Sequence, residues 1–210
     1  MRRLVVVALV LLAAGCSRLG SDPPPKALVA YLDDLTAGNL REAYDRTQLE
    51  QIMVGAGASL SFEHFEAFYR ANPVTSYAIT RVTRLELRTS DAPTERGSAF
   101  YDVEIELRFG DRAQTETVTV EGEVLPVVQL DPASVFVRIP GGAESVLIDG
   151  VETTPAASPA IEDGYTFLLL RGSHELALDG RTVAFTADPL TVVAGDARIE
   201  GEAPPVLVLS

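Results

Sequence analysis

The chain is short of the residues from which most sites of chemistry are built. It has one cysteine, two histidines and no tryptophan in 210 residues. A single cysteine excludes an intramolecular disulfide, so stability has to come from packing. With only His64 and His174, there is no Cys/His cluster, no His-Glu-x-x-His and no acidic calcium loop. The sequence therefore nominates no metal and no cofactor. Positive charge is also scarce: 17 Lys and Arg stand against 30 Asp and Glu, a net charge of −13. Such a surface repels nucleic acid and anionic headgroups, which removes nucleic acid from the expected partners. No apolar run reaches the ~20 residues of a bilayer-spanning helix. Apolar residues themselves are abundant, at 47% of the chain, ample for a buried core and too many for a disordered stalk.

The one cysteine stands at the end of an ordered pattern. Arg2 and Arg3 form a short basic region, Leu4–Leu12 is an almost unbroken apolar run, and Ala13, Ala14 and Gly15 lead into Cys16. That three-part layout is a secretory signal. Ala13-Ala14-Gly15-Cys16 resembles the lipobox of bacterial lipoproteins, with Ala13 where that family prefers leucine. The resemblance implies a signal peptide over residues 1–15 and lipid attachment at Cys16, with acyl chains holding the protein to a membrane. It places the protein in the cell envelope, facing the periplasm or the extracellular side. An ordinary signal peptide with a chance cysteine, or an uncleaved anchor, are the alternatives. Losing Arg2 and Arg3 would take the charge from −13 to −15, so acyl chains rather than basic patches must supply the attachment. Residues 16–25 are small, polar and proline-rich after the cysteine, ending in Pro23-Pro24-Pro25. They read as a semi-rigid tether.

Beyond the tether the apolar period is helical. Leu28, Leu32 and Leu35 with Tyr31 predict a helix over Lys26–Ala37, stopped by Gly38. Asn39 caps a second helix over Leu40–Thr47, and Leu49–Val54 continues as another turn or a short helix. Gly55-Ala56-Gly57-Ala58 breaks the pattern before Ser61 caps a third helix through Ala71, with an aromatic stripe of Phe62, Phe65, Phe68 and Tyr69. From Ser76 the period is two. Tyr77, Ile79, Leu85 and Leu87 predict a strand with a bulge near Val82. Asp91–Gly97 is a polar loop. Tyr101 to Phe109 alternate cleanly, Gly110-Asp111 turns, and Ala113–Val120 returns; Glu123–Leu130 adds another strand.

After Asp131-Pro132 only strands and turns are expected. Val135–Ile139, Ser145–Ile148, Tyr165–Leu170, His174–Leu178 and Arg181–Ala187 are strands, and Asp149-Gly150 is the kind of pair favoured in tight hairpins. Leu190–Ala194, Ala197–Gly201 and Val206–Leu209 are further short strands. They either close this second unit or form an edge appended to the first.

Two resemblances follow from these residues. Ala30-Tyr31-Leu32, Ala37-Gly38-Asn39, Ala43-Tyr44 through Thr47, and Ser61-Phe62-Glu63-His64-Phe65 resemble the nuclear transport factor 2-like domain of bacterial lipoproteins and low-affinity penicillin-binding transpeptidases. Pro140-Gly141-Gly142-Ala143, Val146–Gly150, Thr154-Pro155 and Leu170-Arg171-Gly172-Ser173-His174 resemble a PEGA-type β-sandwich, with Gly141 in place of that family's glutamate. Together they imply an α+β fold, helices packed on a curved antiparallel sheet in a cone, over residues 26–130. A small all-β sandwich over residues 131–210 follows.

No catalytic constellation is nominated. His64 and His174 have ordinary structural readings, and Gly55–Ser59 lacks the Gly-Lys-Ser/Thr of a phosphate cradle. Asp33, Asp34, Asp45, Glu63 and Glu66 are carboxylates on solvated faces. The expected role is a non-catalytic, membrane-tethered module presented to an envelope protein or a cell-wall partner. The alternative is small-ligand binding, or isomerase or hydrolase chemistry, in a cone lined by Tyr31, Tyr44, Phe65, Tyr69 and Tyr101. An open cone with one buried carboxylate favours that alternative; a cone plugged by those side chains favours the interaction role.

Overall fold

A computed structural model describes residues 22–50, 60–85, 100–121, 127–158, 161, 164–202 and 204–209. The leader, Cys16, the loop over 91–97 and the glycine-rich 55–59 lie outside the described residues.

The helix α1 (Lys26–Ala37) buries Leu28, Tyr31, Leu32 and Leu35, four positions that share one face at helical spacing. Gly38 ends it in the left-handed conformation, φ +76°. There its N–H meets the Leu35 carbonyl at 3.2 Å and the Asn39 N–H meets that of Asp34 at 2.9 Å. The helix α2 (Leu40–Asp45) is shorter than its pattern predicts. Thr47 has left it to bridge Val128, whose N–H binds the Arg46 carbonyl at 2.8 Å. The third helix, α3 (Phe62–Ala71), buries His64, Phe65, Phe68 and Tyr69. Neither expected cap forms: the Asn39 amide points to Asp34 Oδ1, and Ser61 Oγ lies 2.9 Å from His64 Nδ1.

A four-stranded antiparallel meander follows, made of β1 (Ser76–Leu85), β2 (Phe100–Phe109), β3 (Arg112–Glu121) and β4 (Val127–Gln129). The bulge in β1 falls between Ile79 and Arg81, close to where the alternation slips. Val103, Ile105 and Leu107 of β2 with Val118 and Val120 of β3 face the buried side chains of α1 and α3 in one core.

The remaining ten strands form two five-stranded sheets. One runs β12 (Leu190–Ala194), β11 (Arg181–Ala187), β10 (Ser173–Leu178), β6 (Val146–Ile148) and β7 (Val151–Thr153). The other runs β13 (Ala197–Glu200), β14 (Val206–Leu209), β5 (Ala133–Arg138), β9 (Gly164–Leu169) and β8 (Ala156–Ala157). Ile148, Leu176 and Phe185 from the first sheet pack with Val137, Phe167 and Leu207 from the second in a sandwich core. The Asp149-Gly150 pair turns as expected, and Asp179-Gly180 makes a second turn of the same kind between β10 and β11, with positive φ at all four residues. The last strand closes this sandwich: β14 lies between β13 and β5, parallel to β5, with all four residues buried.

The expected fold class does not stand. Among the described residues the structure is mostly β, 51% strand and 20% helical, with three sheets and three short helices, rather than an α+β fold of helices packed on a curved sheet in a cone. The sharp 3.6-residue period of α1 and α3 weighs heavily in a sequence reading, yet the three helices are 12, 6 and 10 residues long. The fourteen strands of the described residues outweigh them. Among the described residues no helix is long and apolar enough to cross a membrane.

Candidate functional site

Four of the five aromatic residues expected to line a pocket, Tyr31, Tyr44, Phe65 and Tyr69, are buried against one another in the first core. Tyr31 and Tyr69 bring their hydroxyls to 3.3 Å of each other, and the Tyr44 hydroxyl donates to the Leu60 carbonyl at 3.1 Å. Phe65 packs between Tyr44 and Tyr69, with ring centroids at 5.4 and 4.7 Å. These four are buried together, while Tyr101 is half-buried at the margin of the same core. Burial pushes the phenols of Tyr31, Tyr69 and Tyr44 up, so they remain protonated. The carboxylates of the helices face outward as expected: Asp34 meets Arg46, Asp45 meets Arg41 and Glu66 meets Arg70. Tyr77 donates to Asp33 at 2.8 Å, and burial followed by that bond moves its phenol up to about 12.

One carboxylate does point inward, and the alternation of β3 shows why. Glu116 has the same parity as Val118 and Val120 and pairs across the sheet with Ile105. Strand geometry therefore sends it to the core face. Gln114, two residues earlier, donates its amide to Glu116 at 2.8 Å and to the Arg171 carbonyl at 3.4 Å. Burial pushes the carboxyl up to about 7, against the opposing pull of Arg171 and Gln114. That parity was the available signal. It was hidden because the neighbouring strand carries its acids on the solvated face.

The two buried cores meet along a seam built around the two histidines. Leu170, just past the end of β9, packs into the core of α1, α3 and the meander. His64 reaches from α3 to β7: its Nε2 lies 2.6 Å from Thr153 Oγ1, and its Nδ1 2.9 Å from Ser61 Oγ. Thr153 donates its own hydrogen to the Val151 carbonyl, so His64 Nε2–H is the donor and Nδ1 accepts from Ser61. This arrangement holds a neutral imidazole. Burial pulls its pKa down in agreement, opposed by Asp149 and Glu63.

His174 is bound differently. Its Nδ1 lies 2.7 Å from Asp149 Oδ2 and its Nε2 2.7 Å from the Leu170 carbonyl. Both neighbours are acceptors, so the ring is placed to donate to the Asp149 carboxylate on one side and to the Leu170 carbonyl on the other. Its faces are covered by Phe68 at 5.0 Å and Phe185 at 5.8 Å between centroids. The turn before it depends on Gly172, at φ +141°, where a Cβ would stand 2.9 Å from Phe68 Cζ. A cavity of about 10 Å³ lies between His64, Asp149 and His174, space for a single water. The histidines thus join two elements each around this small space. No group of three or more His, Cys, Asp or Glu among the described residues is placed to hold a metal ion.

His64 and Glu116 give stability opposite dependences on pH. The folded protein binds a proton at His64 less readily than the unfolded chain does, so stability is complete above the ordinary histidine value of about 6.5 and falls as pH drops below it. Folding instead raises Glu116 from 4.5 to about 7. The folded state holds that proton longer, so stability falls as pH rises across this window, by on the order of 3 kcal/mol. Glu116→Gln keeps an acceptor for Gln114 and is expected to raise the melting temperature at pH 8 while leaving it unchanged at pH 4. His64→Gln is expected to flatten the loss below pH 6.5. Thermal melts from pH 4 to 8 check both, and an unchanged profile in either variant would contradict the corresponding assignment.

Comparison of the chain with protein-family models, curated proteins and solved structures finds no match.

Proposed function

We propose that the chain is an envelope lipoprotein, tethered through acyl chains on Cys16, whose folded part is non-catalytic and is presented to a protein or cell-wall partner. The observation that carries this reading is the order of Arg2-Arg3, the apolar Leu4–Leu12 and Ala13-Ala14-Gly15 before the only cysteine. A net charge of −13 leaves acyl chains as the means of attachment.

The geometry adds support for a presenting rather than a reacting module. Tyr31, Tyr44, Tyr69, His64 and His174 each spend their polar atoms on internal partners. The PEGA-type reading of the C-terminal part gains from the same contacts. The Asp149-Gly150 turn and the Leu170–His174 segment, separate in sequence, are tied to each other by the Asp149–His174 pair.

Intact mass of the membrane-extracted protein, beside a Cys16→Ser variant, tests the tether. The expected result is a chain beginning at Cys16 with acyl mass, and a variant that leaves the membrane fraction almost completely. An unmodified Cys16, or equal partitioning of the two forms, would overturn the proposal.

A further inference from the structure

The seam opens beyond Gly172 into a second cavity, of about 160 Å³. Its walls come from the end of α3 (Phe68, Asn72), the β2–β3 hairpin (Phe109, Arg112) and the turns flanking β10 and β11 (Ser173, Asp188). Arg112 sets it apart from the rest of the surface. Its Nη1 donates to Ser173 Oγ and its Nη2 to Asn72 Oδ1, both at 3.2 Å. These acceptors are neutral. Among the described residues no ion pair engages Arg112, whereas eight other arginines each meet an Asp or Glu. The two bonds orient the guanidinium without neutralising it. They leave Nε–H and one N–H on each terminal nitrogen free for another acceptor.

The remaining walls narrow the ligand. Phe68 and Phe109 offer apolar surface, and the Asp188 carboxylate, already paired with Arg171, would oppose a dianion. A cavity of 160 Å³ holds about five waters, below the roughly 300 Å³ of common ligand pockets. We propose that this cavity binds a small monocarboxylate, with the carboxylate on the Arg112 fork and a short apolar body against Phe68 and Phe109. The acid is either free or the C-terminal end of a peptide. This goes beyond the tethering proposal and does not depend on it.

Ligand-detected NMR titrations of the full chain in detergent micelles, with N-acetylalanine as probe, test the site. Saturable binding is expected, at least tenfold tighter than that of the neutral N-acetylalaninamide. Arg112→Gln is expected to weaken it at least tenfold, while Arg84→Gln, the same charge change at an exposed position of β1, leaves it unchanged. Phe109→Trp fills the cavity from the wall beside Arg112 without removing the fork and should also abolish binding, which keeps the test decisive if Arg112→Gln folds poorly. Cys16→Ser should bind as the parent does. Trialanine binding as well as N-acetylalanine identifies a peptide terminus as the source; its exclusion identifies a free acid. Equal binding of acid and amide, equal loss in Arg84→Gln, inorganic phosphate displacing the probe, or no saturation would overturn the proposal.

Discussion

Replacing His174 by alanine is expected to lower the free energy of unfolding by about 3–5 kcal/mol, the range for removing one partner of a buried ion pair. Three losses coincide there. The Asp149 carboxylate keeps its charge in a site where its side chain is only 10% exposed. The Leu170 carbonyl loses its donor, and Phe68 and Phe185 lose the ring between them. Asp149→Asn should cost less, because an amide oxygen still accepts from the Glu175 N–H and asparagine tolerates the φ of +52° at that position. Combining Asp149→Asn with His174→Phe removes both partners of the pair and keeps the stacking surface, so the double variant should recover much of the loss. Since Phe68 belongs to one core and Phe185 to the other, His174→Ala should also separate their unfolding. Denaturant titrations followed by two probes, one in each core, check this. A cost below about 1 kcal/mol, the range of an exposed pair, with one shared transition would show that the pair does not join them.

The second large effect is expected at the end of the chain. Leu207 is 0% exposed in a strand held on both sides, by β13 and by β5. Leu207→Asp would place a carboxylate among Val137, Phe167 and Phe185 with no group to neutralise it. The cost is expected to be about 5 kcal/mol or more, comparable with the whole stability of many domains. Val193→Asp, at 66% exposed on β12, should change stability by about 0.5 kcal/mol or less. Limited proteolysis of both variants provides the comparison: rapid cleavage of Leu207→Asp and parental resistance of Val193→Asp are expected. Equal resistance would mean that β14 is dispensable to the sandwich.

Much of the local structure was legible in advance. Helix α1 begins and ends where its leucine spacing and Gly38 place it, and β11 and β12 match their predicted bounds. Both Asp-Gly turns follow from residues that accept positive φ. Caps were less legible. Asn39 and Ser61 are the right residue types, but Asp34 and His64 compete for their side chains. A helical period is conspicuous in ten residues, whereas two- and three-residue strands such as β7 and β8 carry almost no period at all, and the sequence therefore overstates the helical share.

The sequence by itself determined which residues share a face, where the chain turns, and how much apolar surface must be buried. These are properties of spacing and backbone freedom, and they act over a few residues. Only the tertiary structure decided what covers each face. Glu116 is on the inner side of β3 by parity, but its raised carboxyl results from the burial that the assembled core imposes. His64 meets Thr153 across 89 positions, and Arg112 meets Ser173 across 61. Final strand β14 joins β5 from 70 residues away and runs parallel to it. Contacts of that range depend on how sheets stack and which loops meet, and no local pattern in the chain encodes that.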